Sequence, residues 1–272
     1  MKKFLITLLV LMFSFVLISC GKDHAPSINT PNNPSRPNQE ILPPGEEPKS
    51  ETNEDINENP GEVDVLTDYQ ITFVSGTNNA YTIDNNTIRF TNLSSDSVYS
   101  ISGSLDGNIV IDVGNDYKFE LEFNGFTITS NIINPITILS GNEVQITAKK
   151  DTLNYVYDYR MKIDSNDDTL YRASIYSLVD LDLGGKGRLE VYSENNNGIH
   201  TKDDLKVKNL SLNVVCMDNA LKGNDSVTIE SGNVKLVSKA GDGIKTTNSH
   251  INTNENQKGN VIIGAATVDI YA

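Results

Sequence analysis

Residues 196–207 read NNGIHTKDDLKV and hold a dense set of side chains that can bind metal. Asp203 and Asp204 are adjacent, Asp218, Asp225 and Asp242 follow in later turns, and Asn197, Asn219 and Asn224 add amide oxygens. All are hard donors. Calcium takes six to eight oxygens at roughly 2.3–2.6 Å, whereas zinc prefers imidazole and thiolate. His200 is the only imidazole near these acids, so the inventory favours calcium over zinc. Spacing alone leaves two readings open, a calcium site and a solvated turn. Another acidic stretch, Asp164–Asp168 (DSNDD), opens as D-x-N-x-D but lacks the glycine of an EF-hand loop.

An internal repeat must position these residues. Asn197–Leu205 aligns with Asn219–Val227 and again with Asp242–Ser249, at offsets of 22 and 23 residues. One step earlier, 24 residues back, Ile175 falls where Ile199 does. Alternating runs such as EVQITA, RLEVYS, NLSLNVV and NVKLVS, separated by Gly, Asn and Asp, predict short strands. The period predicts an all-β chain, a right-handed parallel β-helix (solenoid) with coils of about 22–24 residues. Leucine-rich repeats fall in the same range but need an L-x-x-L-x-L spacing absent here, and propeller blades need about 40 residues.

In such a stack, equivalent residues lie roughly 4.8 Å apart. Ile199, Leu221 and Ile244 then form an inward apolar ladder. Asp203 sits over Asp225 and Asn248, Asn197, Asn219 and Asp242 form a second file on the same turn, and Lys222 lies beside Lys245. Two carboxylates about 5 Å apart at an effective dielectric near 20 repel by roughly 3 kcal/mol. Such a turn must be hydrated, partly protonated or bridged by a cation.

The N-terminus carries an export signature. Two lysines precede an apolar run from Phe4 to Ile18, too short for a spanning helix of ~20 residues. It ends in Leu17-Ile18-Ser19-Cys20, which looks like a bacterial lipobox, where cleavage frees a cysteine that receives diacylglycerol. Residues 1–19 are therefore expected to be a lipoprotein signal peptide. Residues 20–65 are expected to be the lipidated Cys20 and a disordered tether, since Gly21 to Val65 holds eight of the nine prolines and little apolar periodicity. The folded part is expected over 66–272, the protein lipid-anchored and exported to the cell envelope, on the outer membrane or cell surface. The other cysteine, Cys216, lies in an apolar run and reads as a core residue. Without residues 1–19 the chain has 20 Lys+Arg against 36 Asp+Glu, a net of −16. That balance excludes nucleic acid and anionic headgroups as partners and suits divalent cations.

The phrases NNGIHTKDDLKV, DNALKGNDSVTIESGNVKLVS and AGDGIKTTN resemble the repeat core of a bacterial carbohydrate-binding domain family. Its members are calcium-binding right-handed parallel β-helices related to pectate lyases. ISGSLDGNIVIDVGNDYKFELEFNGFTITS resembles the family's first coils, so the similarity runs from about residue 99 to 272. The resemblance implies binding of cellulosic or acidic plant polysaccharide such as polygalacturonate, with Ca2+ as a structural or bridging ion. It carries over Asp203, Asp204, Asp218, Asp225 and Asp242. There are departures. The earlier coil reads Ile175-Tyr176-Ser177-Leu178-Val179-Asp180-Leu181, where a lysine and a carboxylate of the family's IYSKDDL pattern are missing. VDIYA ends at Ala272 where a further turn is expected, so the chain reads as a fragment or as one with an uncapped last coil.

The expectation is a monomeric, calcium-dependent polysaccharide-binding protein whose only membrane contact is lipidated Cys20. Lys222, Lys245 and His200 are its candidate carbohydrate contacts, and no catalytic residue is assigned. Tyr155, Tyr157 and Tyr159 alternate and can either present aromatic faces to sugars or pack. The rival readings are a pectate-lyase-like polysaccharide lyase, with Lys222, Lys245 or an arginine as base, and a structural adhesin or stalk rigidified by calcium.

Overall fold

Period-two alternation with β-branched and aromatic residues favours strands throughout the folded part. The computed structural model describes residues 66–162, 172–251 and 258–272. Cys20, the expected signal and tether (1–65) and the DSNDD stretch (Asp164–Asp168) lie outside the described residues. All described residues belong to one compact unit, Asn53–Ala272.

Among the described residues there are nineteen strands and no helix. They run β1 (Asp68–Ser75), β2 (Tyr81–Asp84), β3 (Thr87–Thr91), β4 (Ser97–Asp106), β5 (Asn108–Asp112) and β6 (Lys118–Ser130). Then come β7 (Ile136–Ser140), β8 (Glu143–Ala148), β9 (Leu153–Asp158), β10 (Ala173–Ser177), β11 (Leu181–Gly185) and β12 (Arg188–Ser193). The last are β13 (Asn197–Thr201), β14 (Asp204–Lys208), β15 (Leu210–Cys216), β16 (Leu221–Gly223), β17 (Ser226–Ser238), β18 (Ile244–Lys245) and β19 (Asn260–Tyr271).

These strands form two sheets. The eight-stranded sheet runs β18-β16-β13-β10-β7-β5-β3-β2, parallel except at the β2/β3 hairpin. Its registers reproduce the sequence repeat: Ile136 pairs with Ile175, Ile175 with Ile199, Ile199 with Leu221, and Leu221 with Ile244. The first four side chains are fully buried and Ile244 is half-buried, so the apolar ladder is real.

The larger sheet corrects the expected architecture. It does not form an open right-handed β-helix, because its hydrogen bonding closes into an eight-strand parallel barrel through a β6–β9 pairing. The ring runs β6-β8-β11-β14-β17-β15-β12-β9, with β4 and β19 attached outside it and β1 on β4. Closure follows from two long strands that each pair with two neighbours. β6 pairs with β8 through Lys118–Phe123 and with β9 through Thr127–Ser130. β17 pairs with β14 through Ser226–Ile229 and with β15 through Gly232–Ser238. Each turns its corner at a glycine with positive φ, Gly125 (71°) and Gly232 (115°). A Cβ on Gly232 would lie 2.3 Å from the Leu210 carbonyl oxygen, so only glycine permits that close approach.

One apolar core serves both sheets. It runs from Phe90, Tyr99 and Phe119 at the N-terminal end to Leu221, Val227 and Leu236. Cys216 is fully buried in it, and burial pushes its thiol up to about 12. Beneath the surface one ion pair is shielded from water. Arg160 donates from Nε to Asp158 Oδ1 (2.7 Å), and from Nη2 to Asp158 Oδ2 (2.6 Å) and the Ala173 carbonyl (2.9 Å). The core therefore fixes a stack of equivalent turns, and the turns before and after β13 carry the residues of interest.

Candidate functional site

The turn between β13 and β14 is held before any carboxylate is considered. Thr201 Oγ1 donates to the Val179 carbonyl (2.6 Å) and accepts from the Asp203 amide (3.1 Å). The Asp225 amide donates to the Asp203 carbonyl (3.2 Å), which stacks the next turn directly on this one. These bonds leave three carboxylates together: atoms of Asp180, Asp203 and Asp204 all lie within 4.8 Å of one another. Asp180 Oδ1 accepts from the Asp204 amide (3.1 Å), and Asp204 Oδ1 accepts from Ser226 Oγ (2.7 Å). Asp180 and Asp204 also line an open groove with Glu143 and Asp182.

The electrostatics of the cluster follow from crowding. Burial, the nearby Asp180 and a hydrogen bond to Asp225 push the Asp203 carboxyl up to about 6. That bond requires Asp203 to keep its proton. Asp225 moves the other way. Burial alone would raise it, but an ion pair with Lys258 and a hydrogen bond from Asn248 Nδ2 (2.5 Å) outweigh that and hold it below the ordinary carboxylate range. The expected file Asp203, Asp225, Asn248 therefore exists, but Asp225 already has a protein cation.

The second file lies elsewhere. Asn197 begins β13, so Asn197, Asn219 and Asp242 sit at the opposite end of that strand from Asp203, not on the same turn. Asn197 and Asn219 are buried, and their amides form a ladder. Asn219 Nδ2 donates to Asn197 Oδ1 (2.8 Å) and Asp218 Oδ1 (2.8 Å), while Asn219 Oδ1 accepts from the Asp242 amide (3.0 Å). Their side-chain oxygens are engaged in tying repeats together. Asp242 pairs with Lys245 at 2.8 Å. Asn224 Oδ1 lies 3.3 Å from His200 Nε2. The eight predicted oxygen donors thus divide, and only Asp203 and Asp204 lie in the three-carboxylate cluster.

Asp180 completes that cluster and was not among the predicted donors. Its signal was the pairing of Leu181 with Leu205, 24 residues on, which sets Asp180 beside Asp204. In this coil a lysine and a carboxylate of the IYSKDDL pattern are missing, but Asp180 remains.

The predicted carbohydrate contacts share the outward-pointing side of the eight-stranded sheet, where His200 is buried (5% exposed) and Lys222 and Lys245 are half-buried. Tyr176, His200, Lys222 and Lys245 stand in one register file. The Tyr176 and His200 rings meet edge to face with centroids 5.1 Å apart. Arg172, Tyr176, Asn197, His200, Asp218 and Lys222 line a small, mostly polar pocket. His200 precedes Asp203 by three residues across the end of β13, and through Asn224 it touches the next turn, beside Asp225.

Carboxylate oxygens on opposite sides of one calcium ion stand about 5 Å apart, given its bond lengths. Carboxylate atoms of Asp180, Asp203 and Asp204 within 4.8 Å of one another can share one such ion, and the three offer hard donors alone.

Residues 84–272 match a family model of carbohydrate-binding domain-containing proteins. A carbohydrate-binding domain-containing protein of Acetivibrio thermocellus is 35% identical over 112 residues, 40% of this chain and 39% of that protein. The chain therefore spans well under half the length of that relative. A solved structure, the polysaccharide lyase-like protein from C. thermocellum as a gadolinium derivative, has a TM-score of 0.62 and 33% identity, covering 71% of this chain and 76% of that one.

Proposed function

The chain belongs to the carbohydrate-binding domain-containing proteins, and from that premise we propose a calcium-dependent binder of acidic polysaccharide held at the cell envelope by lipidated Cys20. The observation that carries the reading is the Asp180–Asp203–Asp204 cluster, with Lys222 and Lys245 in register on the neighbouring sheet. A net charge of −16 without the signal repels a polyuronate. A calcium ion held by the cluster would offset two of its three carboxylate charges and leave coordination positions for a sugar carboxylate, with Lys222 as a further hydrogen-bond donor on the same face. Asp180, Asp203 and Asp204 would hold the ion, and when bound it supplies positive charge to bridge protein and glycan. The gadolinium of the related structure is likewise a hard, oxygen-seeking cation, which supports the chemistry but gives no position for it here.

A lyase is the second reading, favoured by the polysaccharide lyase-like neighbour. It needs a base for the sugar C5 proton. Lys245 would first have to give up its ion pair with Asp242. One experiment separates the readings: retention of the chain on polygalacturonate with and without chelator, while unsaturated product is followed by absorbance. Chelator-sensitive retention without product is expected. Product means lyase, and neither retention nor product overturns the proposal. For the anchor, mass spectrometry of the mature chain should find diacylglycerol on an N-terminal Cys20, and Cys20→Ser should release the protein from the membrane fraction.

A further inference from the structure

The turn between β13 and β14 is part of a column of stacked turns, and successive steps of the column meet their charge differently. At the first step Asp180 lies against Asp203 and Asp204. Its hydrogen bonds come from neutral groups, the Asp204 amide to Asp180 Oδ1 (3.1 Å) and Ser226 Oγ to Asp204 Oδ1 (2.7 Å). At the second step Asp203 is hydrogen-bonded to Asp225, so two carboxyl groups touch across stacked turns. At the third, Asn248 Nδ2 donates to Asp225 Oδ1 (2.5 Å), and an amide stands where a carboxylate would add charge. Only at the second step does the protein bring up a cation, Lys258, paired with Asp225 Oδ2.

Main-chain bonds place this lysine. The Gly259 amide donates to the Asp225 carbonyl (2.5 Å), and the Lys258 amide donates to the His250 carbonyl (2.8 Å). Thr246 Oγ1 donates to the Gly259 carbonyl (2.8 Å). Gly259 has a φ of 85°, and a Cβ there would lie 2.1 Å from the Asn248 carbonyl oxygen, so the close approach needs glycine. The segment carrying the ammonium is therefore bonded to the same residue that the ammonium neutralises. Asp225 is buried, which limits what water can do in the lysine's place. The hydrogen bond to Asp225, and then the charges of Asp225, Asp203 and Asp204, hold the Lys258 ammonium above the ordinary lysine range.

We propose that Lys258 is a resident cation that fills the Asp203–Asp225 step of the column in place of a second divalent ion. It rests on the calcium reading of the Asp180–Asp203–Asp204 cluster and adds a limit to it, one ion at the first step and none at the second. Asp203 and Asp225 are hard oxygen donors one coil apart, and water can complete the six to eight oxygens that calcium takes. An ammonium on Asp225 competes for the same oxygens and repels a divalent ion beside it. Removing the ammonium opens the second step.

Equilibrium dialysis of the full chain against millimolar calcium tests this, with bound calcium counted by atomic emission and folding checked by circular dichroism. Lys258→Met and the milder Lys258→Gln should each bind one more ion per chain than the parent. Lys258→Arg should bind the parent's number. Adding Asp225→Asn to Lys258→Gln should return the count to that of the parent. Asp180→Asn should remove one ion from the parent and leave the gain in Lys258→Gln intact, so the cluster and the lysine step fail separately. In the parent, calcium should not speed acetylation of Lys258 by acetic anhydride, read by peptide mass mapping. Folded Lys258→Met and Lys258→Gln chains that bind only the parent's number overturn the proposal. So does a gained ion that survives Asp225→Asn, or acetylation of Lys258 accelerated by calcium, which would mean that the ion displaces the lysine.

Discussion

Replacing Asp203 by Asn tests the acidic cluster with two effects of opposite sign. Without calcium, burial and the opposing Asp180 carboxylate raise the Asp203 carboxyl to about 6, against an ordinary value of 3.8. At 1.36 kcal/mol per unit that shift corresponds to roughly 3 kcal/mol, similar to the repulsion of two carboxylates about 5 Å apart. Asp203 is only half-buried, so solvent screening leaves about 1 kcal/mol. An asparagine amide donates to Asp225 as the protonated acid does and carries no charge. Asp203→Asn should therefore stabilise the calcium-free protein at pH 7.5, raising Tm by about 2–4 °C for a domain of this size. With calcium the order reverses. An ion at a hundredfold excess over its Kd stabilises the parent by about 2.7 kcal/mol, and the variant, short of a ligand, should lose most of that gain. The pH dependence gives an independent check. A carboxyl whose folded value is raised contributes stability that is full below the unfolded value and lost as pH rises through the folded one. The calcium-free parent should thus lose stability between about pH 4 and 6, and the variant should not. Thermal unfolding followed by circular dichroism, with chelator and with calcium, measures all three. A variant that is less stable without calcium, keeps the full calcium shift, or shows the parent's slope between pH 4 and 6 would refute the reasoning.

Other substitutions probe the supports. Asn219→Ala removes bonds to Asn197, Asp218 and the Asp242 amide in a buried ladder, and should cost about 2–4 kcal/mol in urea unfolding. Arg160→Met leaves Asp158 charged with no counterion at full burial; a loss of about 3–5 kcal/mol is expected from the same measurement. Lys258→Met removes the cation that holds Asp225 below the ordinary carboxylate range. A lowered carboxyl contributes stability that is present above its unfolded value and lost as pH falls through the folded one. The variant should therefore be less stable than the parent at neutral pH and converge with it in acid, read by thermal unfolding across pH.

The repeat was legible because equivalent positions keep residue type. Ile175, Ile199 and Leu221 recur at 24 and 22 residues, and the observed registers pair those side chains. The barrel closure was not legible. KFELEFNGFTI reads as one strand run, and it is one strand, but nothing local says that its two halves bond to different neighbours. That follows from the corner at Gly125, where positive φ turns β6 without ending it, and from the matching corner at Gly232 in β17. The partners of such a strand are fixed by where the bend aims it, which is a property of the packed core.

The candidate site divides along the same line. Asp203 and Asp204 are visible as a pair because they are neighbours in sequence, and Asp180 joins them only through the register of β11 on β14. Lys258 reaches Asp225 from 33 residues further on, and no spacing rule links them. This placement has a chemical consequence. Three of the four acids near the β13–β14 turn have no fixed ammonium or guanidinium among the hydrogen bonds and ion pairs described for them, while the fourth is neutralised by the protein itself. A turn that used its own lysine throughout would bind no cation, and one with four bare acids would unfold more readily without it. With Asp225 paired and the Asp203 carboxyl raised to about 6, the chain tolerates the cluster in acid and presents its full charge near neutrality. That is the pH range in which a divalent ion can replace the proton.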